Sequence, residues 1–344
     1  NSLSNPEDIK IGFESTAHYA LNLELFLENA HHSFMEVNPV LIKEYKKSTT
    51  LRRTKTDSVD CESIARWLIT VEYKPHSKGF YHAYSLKSLT RLRDRLIRQR
   101  SFYLVKITNV LDHTFPEFKP FFNERLSKTA LYLLENYGSA EKMARMNSAS
   151  YDKLRCISRG KFSIQQFLRL KELAANTVGV NNSIFDLELN TLLTLYKSLS
   201  DEINTLETEI IKLIEEVHPH YMSIPGIGPI SSAVIYAEYG DISNFSNPGQ
   251  MLAFAGIEPG INDSGTESHG GRMVKHGSSQ LRYVLLNACL PLIRFDLTFA
   301  TYYEKKRAEG KKHRVAITHV AKKLIRVIYA LERQDVDFNA QKLR

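Results

Sequence analysis

The stretch G-I-E-P-G-I-N-D-S-G-T-E-S-H-G-G-R-M-V-K-H-G-S-S-Q-L-R, residues 256–282, organises the C-terminal part of the chain. It is rich in glycine and lies between an apolar segment and an apolar helical pattern. Glycine permits positive φ and lets another molecule approach the backbone closely. The stretch also carries basic side chains that can neutralise phosphate: Arg272, Lys275, His276 and Arg282. It therefore predicts a turn-rich segment that meets a phosphate-bearing partner.

Ser264, in the motif D-S-G, is the candidate nucleophile of this stretch. A serine hydroxyl held among basic groups can attack a phosphodiester. The alternative interpretation is a long polar loop, in which Ser278 or Ser279 serves as the N-cap of the following helix. These residues alone leave both interpretations open.

Composition limits the class of protein. A chain of 344 residues exceeds one ordinary core, so two or three domains are expected. The 46 Lys and Arg residues against 38 Asp and Glu residues give a net charge of +8, which favours a polyanionic partner. Three separate cysteines form neither a disulfide framework nor a zinc motif, so a reducing cytoplasm is expected. No apolar run predicts a membrane span.

The N-terminal region has a βαβ pattern. Residues 9–13 read as a buried strand that ends near Glu14, residues 16–29 as a helix, and residues 33–37 as a second strand. Asn38-Pro39 then turns the chain into another helix. This order predicts a parallel sheet covered by helices, with sites at its strand ends. Glu14 is therefore well placed for chemistry.

Asp57 and Asp60 lie three residues apart in a predicted helix, so both carboxylates project from one face. With Glu14 they can form a carboxylate cluster for Mg²⁺, which prefers oxygen ligands. The alternative is structural, because Asp57 is also a good N-cap. The preceding basic residues are either a solvated face or a nucleic-acid contact: Arg52, Arg53 and Lys55.

Two long helices and a glycine motif follow. An amphipathic helix is predicted over residues 89–110, ended by Pro116, and a heptad pattern over residues 189–217 predicts a coiled coil. The coiled coil can pair with another protomer or fold back on the amphipathic helix. The motif I-P-G-I-G, with Gly226 and Gly228, predicts a hairpin between helices that either meets phosphate or permits tight packing.

Taken together and in order, these pieces resemble the DEDD-type transposases of bacterial insertion sequences. The resemblance rests on F-E-S-T-A-H-Y around Glu14, K-T-D-S-V-D, I-P-G-I-G, and G-I-E-P…D-S-G…G-R…K-H-G-S…L-R, and it covers nearly the whole chain. It implies a RuvC/RNase H-like α/β domain over residues 1–115, a helical linker and coiled coil over 116–218, and a mainly α-helical transposase domain with a helix-hairpin-helix-like element over 219–344.

The resemblance also implies an activity: excision and insertion of a DNA element through a covalent phosphoserine intermediate. Glu14, Asp57 and Asp60 match the family's second, third and fourth acidic positions, which hold Mg²⁺, and Ser264 matches its serine. The implied partners are DNA, an element-encoded bridge RNA, and further protomers in a dimer or tetramer. The acidic site of one protomer is then paired with the serine domain of another, and a bacterial cytoplasm is the implied compartment.

The chain departs from the family pattern at its start. The family's first acidic residue lies on an earlier strand, and Asp8 would lie at the wrong end of the Glu14 strand to replace it. We therefore expect a RuvC-like domain that lacks its first strands. Two rival functions follow from the same residues: a metal-dependent nuclease or junction resolvase that uses water, and an inactive nucleic-acid-binding remnant.

Overall fold

The computed structural model describes residues 9–14, 20–49, 56–73, 80–123, 126–264 and 267–343. Within residues 259–272 it describes the main chain and not the side chains. The chain is mostly helical and divides into two compact units, Asn1–His82 and Ala83–Arg344.

The first unit confirms the predicted βαβ pattern. Strand β1 (Ile11–Glu14) and strand β2 (Phe34–Val37) are joined through helix α1 (Ala20–Asn29) and pair in parallel, with Glu14 opposite Val37. Helices α2 (Pro39–Thr49) and α3 (Asp57–Thr70) follow. A small core holds these elements together, because Val37, Ile42 and Leu68 are all buried there.

Helix α1 carries one buried carboxyl group among its described side chains, that of Glu24. Its side chain is 4% exposed, and Oε2 has no hydrogen-bond partner among the described residues. Burial first, and then the charges of Glu36 and Glu28, raise the pKa of Glu24 to about 7. Since the pKa is raised in the folded state, the stability it contributes is complete below the unfolded pKa of 4.5 and is lost as the pH rises through about 7.

Glu24→Gln is therefore expected to stabilise the protein at pH 8 by about 2 kcal/mol and to change it little at pH 4.5. Urea unfolding at both pH values measures this difference. Glu62→Gln, at an exposed position of α3, is the control and should show no such pH dependence. A Glu24→Gln protein with the same gain at both pH values would contradict the assignment.

The second unit begins with a helical region. Helix α4 (Phe80–Thr114) is followed by five shorter helices, which lead to helix α10 (Ser183–Val217). The five are α5 (Phe118–Phe121), α6 (Lys128–Tyr137), α7 (Ala140–Ala144), α8 (Ser148–Ile157) and α9 (Ile164–Ala175). They share a core with the end of α4 and the start of α10. Side-chain N-caps at Ser127, Ser139, Asn147 and Ser163 fix where four of them begin.

Helices α4 and α10 run antiparallel within the one chain. Leu86 packs in the same core as Ile210 and Ile214, whereas His113 at the other end of α4 stacks on Phe185 with ring centroids 5.8 Å apart. Between these ends, Arg93 Nε donates to Glu207 Oε1 at 2.7 Å. The heptad seam therefore folds back on α4, which was one of the two partners that the sequence allowed.

The heptad positions are covered unevenly by this packing. Leu189, Ile203 and Ile210 are buried, but Val217 is 39% exposed. The helix ends at His218 in the left-handed conformation, before Pro219, as the sequence predicts. Much of the heptad seam is thus occupied by the chain itself. Pairing of protomers through this helix stays a prediction.

The C-terminal region contains five helices and a β-hairpin around one core. Its helices are α11 (Pro229–Tyr239), α12 (Pro248–Ala255), α13 (Ser279–Phe295), α14 (Leu297–Ala308) and α15 (His313–Gln334), and its strands are β3 (Pro259–Ser264) and β4 (Glu267–Met273). Short 3₁₀ turns lie at His220–Ser223, Ile242–Asn244 and Ala340–Leu343. Leu285, Phe299 and Leu324 are fully buried in this core.

Helices that span a membrane are long and apolar, and the described helices differ from them. No single helix among them is long and apolar enough to cross a membrane. The bent pair Ser279–Phe295 and Leu297–Ala308 meets the length and composition test only when the two are joined.

Candidate functional site

Helix α3 runs antiparallel to the two strands of the first unit. Its C-terminal end lies at the start of the strands, since Lys10 Nζ donates to Leu68 O at 3.3 Å. The Tyr73 hydroxyl likewise lies 3.1 Å from Ile11 O and 2.9 Å from Ser33 O. The first turn of α3 therefore lies toward the carboxyl ends of the strands, which is the end of β1 that carries Glu14.

A glycine in β1 allows this packing. A Cβ atom built on Gly12 would lie 2.6 Å from Leu68 Cδ1, so a larger residue would push α3 away from the strand. The clustering of Glu14 with Asp57 and Asp60 stays a prediction.

The carboxylates of α3 have different surroundings. Thr56, and not Asp57, caps the helix, because Thr56 Oγ1 accepts from Val59 N at 3.4 Å. The N-cap interpretation of Asp57 is therefore wrong, and its exposed carboxylate is available for another role. Asp60 is half-buried and forms an ion pair with Lys46 of α2.

This arrangement gives carboxylate donors that suit Mg²⁺ in chemistry but not in placement. Hard carboxylate oxygens lie at one end of the unit. However, no group of three His, Cys, Asp or Glu side chains is placed to hold a metal ion in the part of the chain that the structure describes. Lys46 is the residue that the sequence interpretation missed; its position in the last turn of a helix that follows β2 was the available signal. The other basic candidates near this helix lie outside the described residues: Arg52, Arg53 and Lys55.

The glycine-rich stretch forms an antiparallel β-hairpin, which corrects the expectation of a loop. Strand β3 pairs with β4 from Pro259↔Met273 to Ser264↔Glu267, with a register shift near Ile261. Val274 N donates to Glu258 O at 2.8 Å and closes the base of the hairpin. Ser264 is therefore the last paired residue of β3. The side chains of Ser264 and Arg272 lie outside those that the structure describes.

The segment after β4 contains the remaining basic candidates. Lys275 and His276 are exposed, so they remain available to a partner. Arg282 instead donates from Nη1 to Ala255 O at 3.2 Å, at the end of α12. A cation is favourable there because the last carbonyl groups of a helix are partly negative. The predicted nucleic-acid role of Arg282 therefore competes with a structural one.

Ser278 confirms the predicted helix cap. Its Oγ accepts from Leu281 N at 3.2 Å, and its own N–H donates to Phe254 O at 3.1 Å. Next to it, a Cβ atom built on Gly277 would lie 2.0 Å from Phe254 O and 2.5 Å from Gly256 N. The end of α12 and the start of α13 thus meet at Gly277 without room for a side chain.

The two glycines of I-P-G-I-G differ in their surroundings. Gly226 has φ +97°, and a Cβ atom there would lie 2.8 Å from Pro291 Cγ, so tight packing on α13 explains this glycine. Gly228 is the N-cap of α11, and a Cβ atom there would meet nothing within 4 Å. Of the two residues, only Gly228 has open space for a partner.

Gly277→Ser is expected to destabilise the protein by about 3 kcal/mol, because backbone atoms of α12 cannot move aside cheaply. Gly228→Ser is the matched control, since it has open space and serine is a good N-cap; its effect should stay within about 0.5 kcal/mol. Urea unfolding of both variants tests the contrast. Equal stability of the two variants would show that the contact at Gly277 can relax.

Comparisons with known proteins place two family matches on these two regions. Residues 1–116 match an IS110-type DEDD family model described as a transposase. Residues 219–304, which contain the hairpin and Ser264, match a model described as the transposase IS116/IS110/IS902 family.

Curated relatives agree with these matches. An insertion element IS110 protein of Streptomyces coelicolor, described as uncharacterized, is 27% identical over 69% of this chain and 60% of its own length. An insertion element IS900 protein of Mycobacterium paratuberculosis, also described as uncharacterized, is 28% identical over 81% of this chain and 71% of its own length. A transposase for insertion sequence element IS1111A of Coxiella burnetii is 25% identical over 75% of this chain and 59% of its own length.

A DEDD-type domain followed by a second transposase domain defines the class of insertion-element transposases. This chain belongs to the IS110/IS116 family of that class.

Proposed function

We propose that the protein is the recombinase of its insertion element and that Ser264 forms a covalent bond with DNA. The position of Ser264 carries this proposal: it ends β3 in a hairpin within the segment that matches the transposase family. Exposed Lys275 and His276 follow the same hairpin and can neutralise phosphate. The net charge of +8 agrees with a DNA partner.

The proposed reaction conserves the energy of the phosphodiester. The Ser264 hydroxyl attacks phosphorus and gives up its proton, while the bond from phosphorus to the leaving DNA oxygen breaks and that oxygen takes a proton. A second DNA hydroxyl later attacks the protein–DNA ester and releases the serine. Arg272 and Lys275 are the candidates to neutralise the phosphate during both steps.

Glu14, Asp57 and Asp60 form the proposed acidic site. Bound Mg²⁺ would supply positive charge next to the scissile phosphate. Because Lys46 is paired with Asp60, binding of a metal by all three carboxylates requires Asp60 to leave that ion pair. The direction of α3, opposite to that of β1, supports a common end for these groups; the convergence of the three carboxylates on one metal ion is part of the proposal.

We also propose the organisation that the family implies. Residues 1–115 are assigned to a RuvC-like domain, 116–218 to a helical linker and coiled coil, and 219–344 to the serine domain; the family matches over 1–116 and 219–304 support the outer two. The proposed partners are DNA, a bridge RNA and further protomers.

Trapping of DNA on the protein tests the proposal. The protein expressed from its complete gene is incubated with supercoiled DNA that carries the element ends, then denatured, and the linked peptide is mapped. We expect DNA on the peptide that contains Ser264. Hydrolysed ends without an adduct would favour a nuclease that uses water, and salt-sensitive binding without any cleavage would favour an inactive remnant.

A further inference from the structure

Helix α15 carries a row of basic side chains along one face. His319, Lys322 and Arg326 are three and four residues apart, so they lie above one another on the helix. The opposite face is buried in the core of the C-terminal region. The row from His319 to Arg326 is about 10 Å long at 1.5 Å per residue.

Two lysines from the preceding helix and turn extend this row. Burial lowers the pKa of His319 first, followed by the charges of Lys322, Lys306 and Lys311. Lys306 lies in the last turn of α14 and Lys311 in the α14–α15 turn, and the charges of both act on the imidazole. Glu309 is the acid that opposes this effect, and both of its carboxylate oxygens lie 2.9 Å from Lys306 Nζ.

The other cations of the row lack such compensation. In the described part of the chain, Lys311, Lys322 and Arg326 form no ion pair. Burial and then the charge of Arg326 lower the pKa of Lys322. Like charges that face each other without partners destabilise a fold, and a bound polyanion relieves this repulsion.

Aromatic contacts hold the two helices of this surface together. Lys306 Nζ lies 5.5 Å from the ring centre of Tyr302, and Lys323 Nζ lies 5.2 Å from the same ring. Lys323 also lies 5.1 Å from the ring centre of buried Phe299. The two contacts of Lys323 connect α15 to α14.

The row lies close to the base of the hairpin that carries Ser264. Ile257, which directly precedes Glu258 and the start of β3, is buried in the same core as Leu324 and Ile325 of α15, and the opposing charge of Glu258 acts on the pKa of Lys322. Ser264 is six residues further along the chain. Six residues of strand span about 20 Å, which corresponds to about six base pairs, or half a turn of duplex DNA.

We propose that Lys306, Lys311, Lys322 and Arg326, the α14–α15 cationic surface, bind the sugar–phosphate backbone of duplex DNA about half a helical turn from the bond at Ser264. A row of about 10 Å matches about three successive phosphates of one strand. The inference rests on the proposed function, because it takes the DNA at the hairpin to be the DNA that Ser264 attacks.

Salt-dependent DNA binding tests the surface without any cleavage. Fluorescence anisotropy measures the affinity for a duplex of about 30 base pairs over a range of KCl concentrations, in EDTA. Lys322→Gln combined with Arg326→Gln is expected to weaken binding about tenfold and to reduce the slope of log Kd against log salt by about 2. Lys311→Gln, at an exposed position of the turn, should reduce the slope by about 1 without affecting the fold.

Lys153→Gln combined with Arg155→Gln is the matched control. Both side chains are exposed on α8, and the pair removes the same two charges, so its slope should equal that of the unmodified protein. An unchanged slope in the Lys322 and Arg326 variant, or an equal loss in the control, would overturn the proposal. If the Lys322 and Arg326 variant bound duplex RNA of the same sequence more weakly than the unmodified protein but bound DNA equally well, the proposal would also be overturned. The binding assay measures no covalent step, so it can succeed or fail independently of the proposed reaction at Ser264.

Discussion

Replacing Ser264 with alanine is expected to abolish the covalent protein–DNA adduct, with a loss of about a thousandfold or more. The change removes the attacking oxygen and nothing else. Because Ser264 is held in β3 by main-chain pairing with Glu267, alanine can keep the strand, and the protein should fold and bind DNA as before. The measurement is the trapping assay on the protein expressed from its complete gene, with thermal unfolding to check the fold.

Ser278→Ala is the control for this result. The Ser278 hydroxyl caps α13, so its removal should cost about 1 kcal/mol of stability and leave the adduct intact. Ser264→Cys is expected to retain a small activity, since a thiolate is a good nucleophile. An adduct that persists in Ser264→Ala, or that maps to Ser268, Ser278 or Ser279, would show that another residue is the nucleophile.

The helices and the βαβ pattern were predictable because their signals are local. The order of strand, helix and strand predicted the parallel strand pair. Apolar periodicity predicted α4 and α10. The hairpin was not predicted, since its strands contain glycine and polar residues in place of the apolar alternation that marks a buried strand. Its pairing is a contact between backbone groups, and such contacts leave little trace in side-chain patterns.

The functional interpretation of single residues depended on contacts that lie far apart in the sequence. Gly226 packs on Pro291, Arg282 caps the end of α12, and Lys46 pairs with Asp60. Each partner belongs to another element, so the residue type alone could not separate a phosphate contact from a packing contact. The βαβ pattern correctly predicted the parallel strand pair that ends at Glu14, whereas the clustering of Glu14 with Asp57 and Asp60 stays a prediction.

The acidic site has its own decisive variant, Asp57→Asn. Asp57 lies in the first turn of α3, Thr56 already provides the cap, and the Asp57 side chain is exposed. Asparagine therefore keeps the shape and the helix but removes the negative charge. We expect strand cleavage to fall at least about 100-fold, because in the proposed mechanism this carboxylate holds Mg²⁺ next to the scissile phosphate.

A second measurement separates a metal role from a structural one. If Asp57 binds Mg²⁺, the unmodified protein should gain about 1.4 kcal/mol of stability at a Mg²⁺ concentration ten times the Kd, and Asp57→Asn should lose this gain. Glu62→Gln removes one exposed carboxylate from the same helix, where Glu62 pairs with Arg66 at 2.6 Å, and should retain both cleavage and the Mg²⁺ effect. Cleavage that survives in Asp57→Asn, or a Mg²⁺ effect lost equally in Glu62→Gln, would place the acidic chemistry elsewhere.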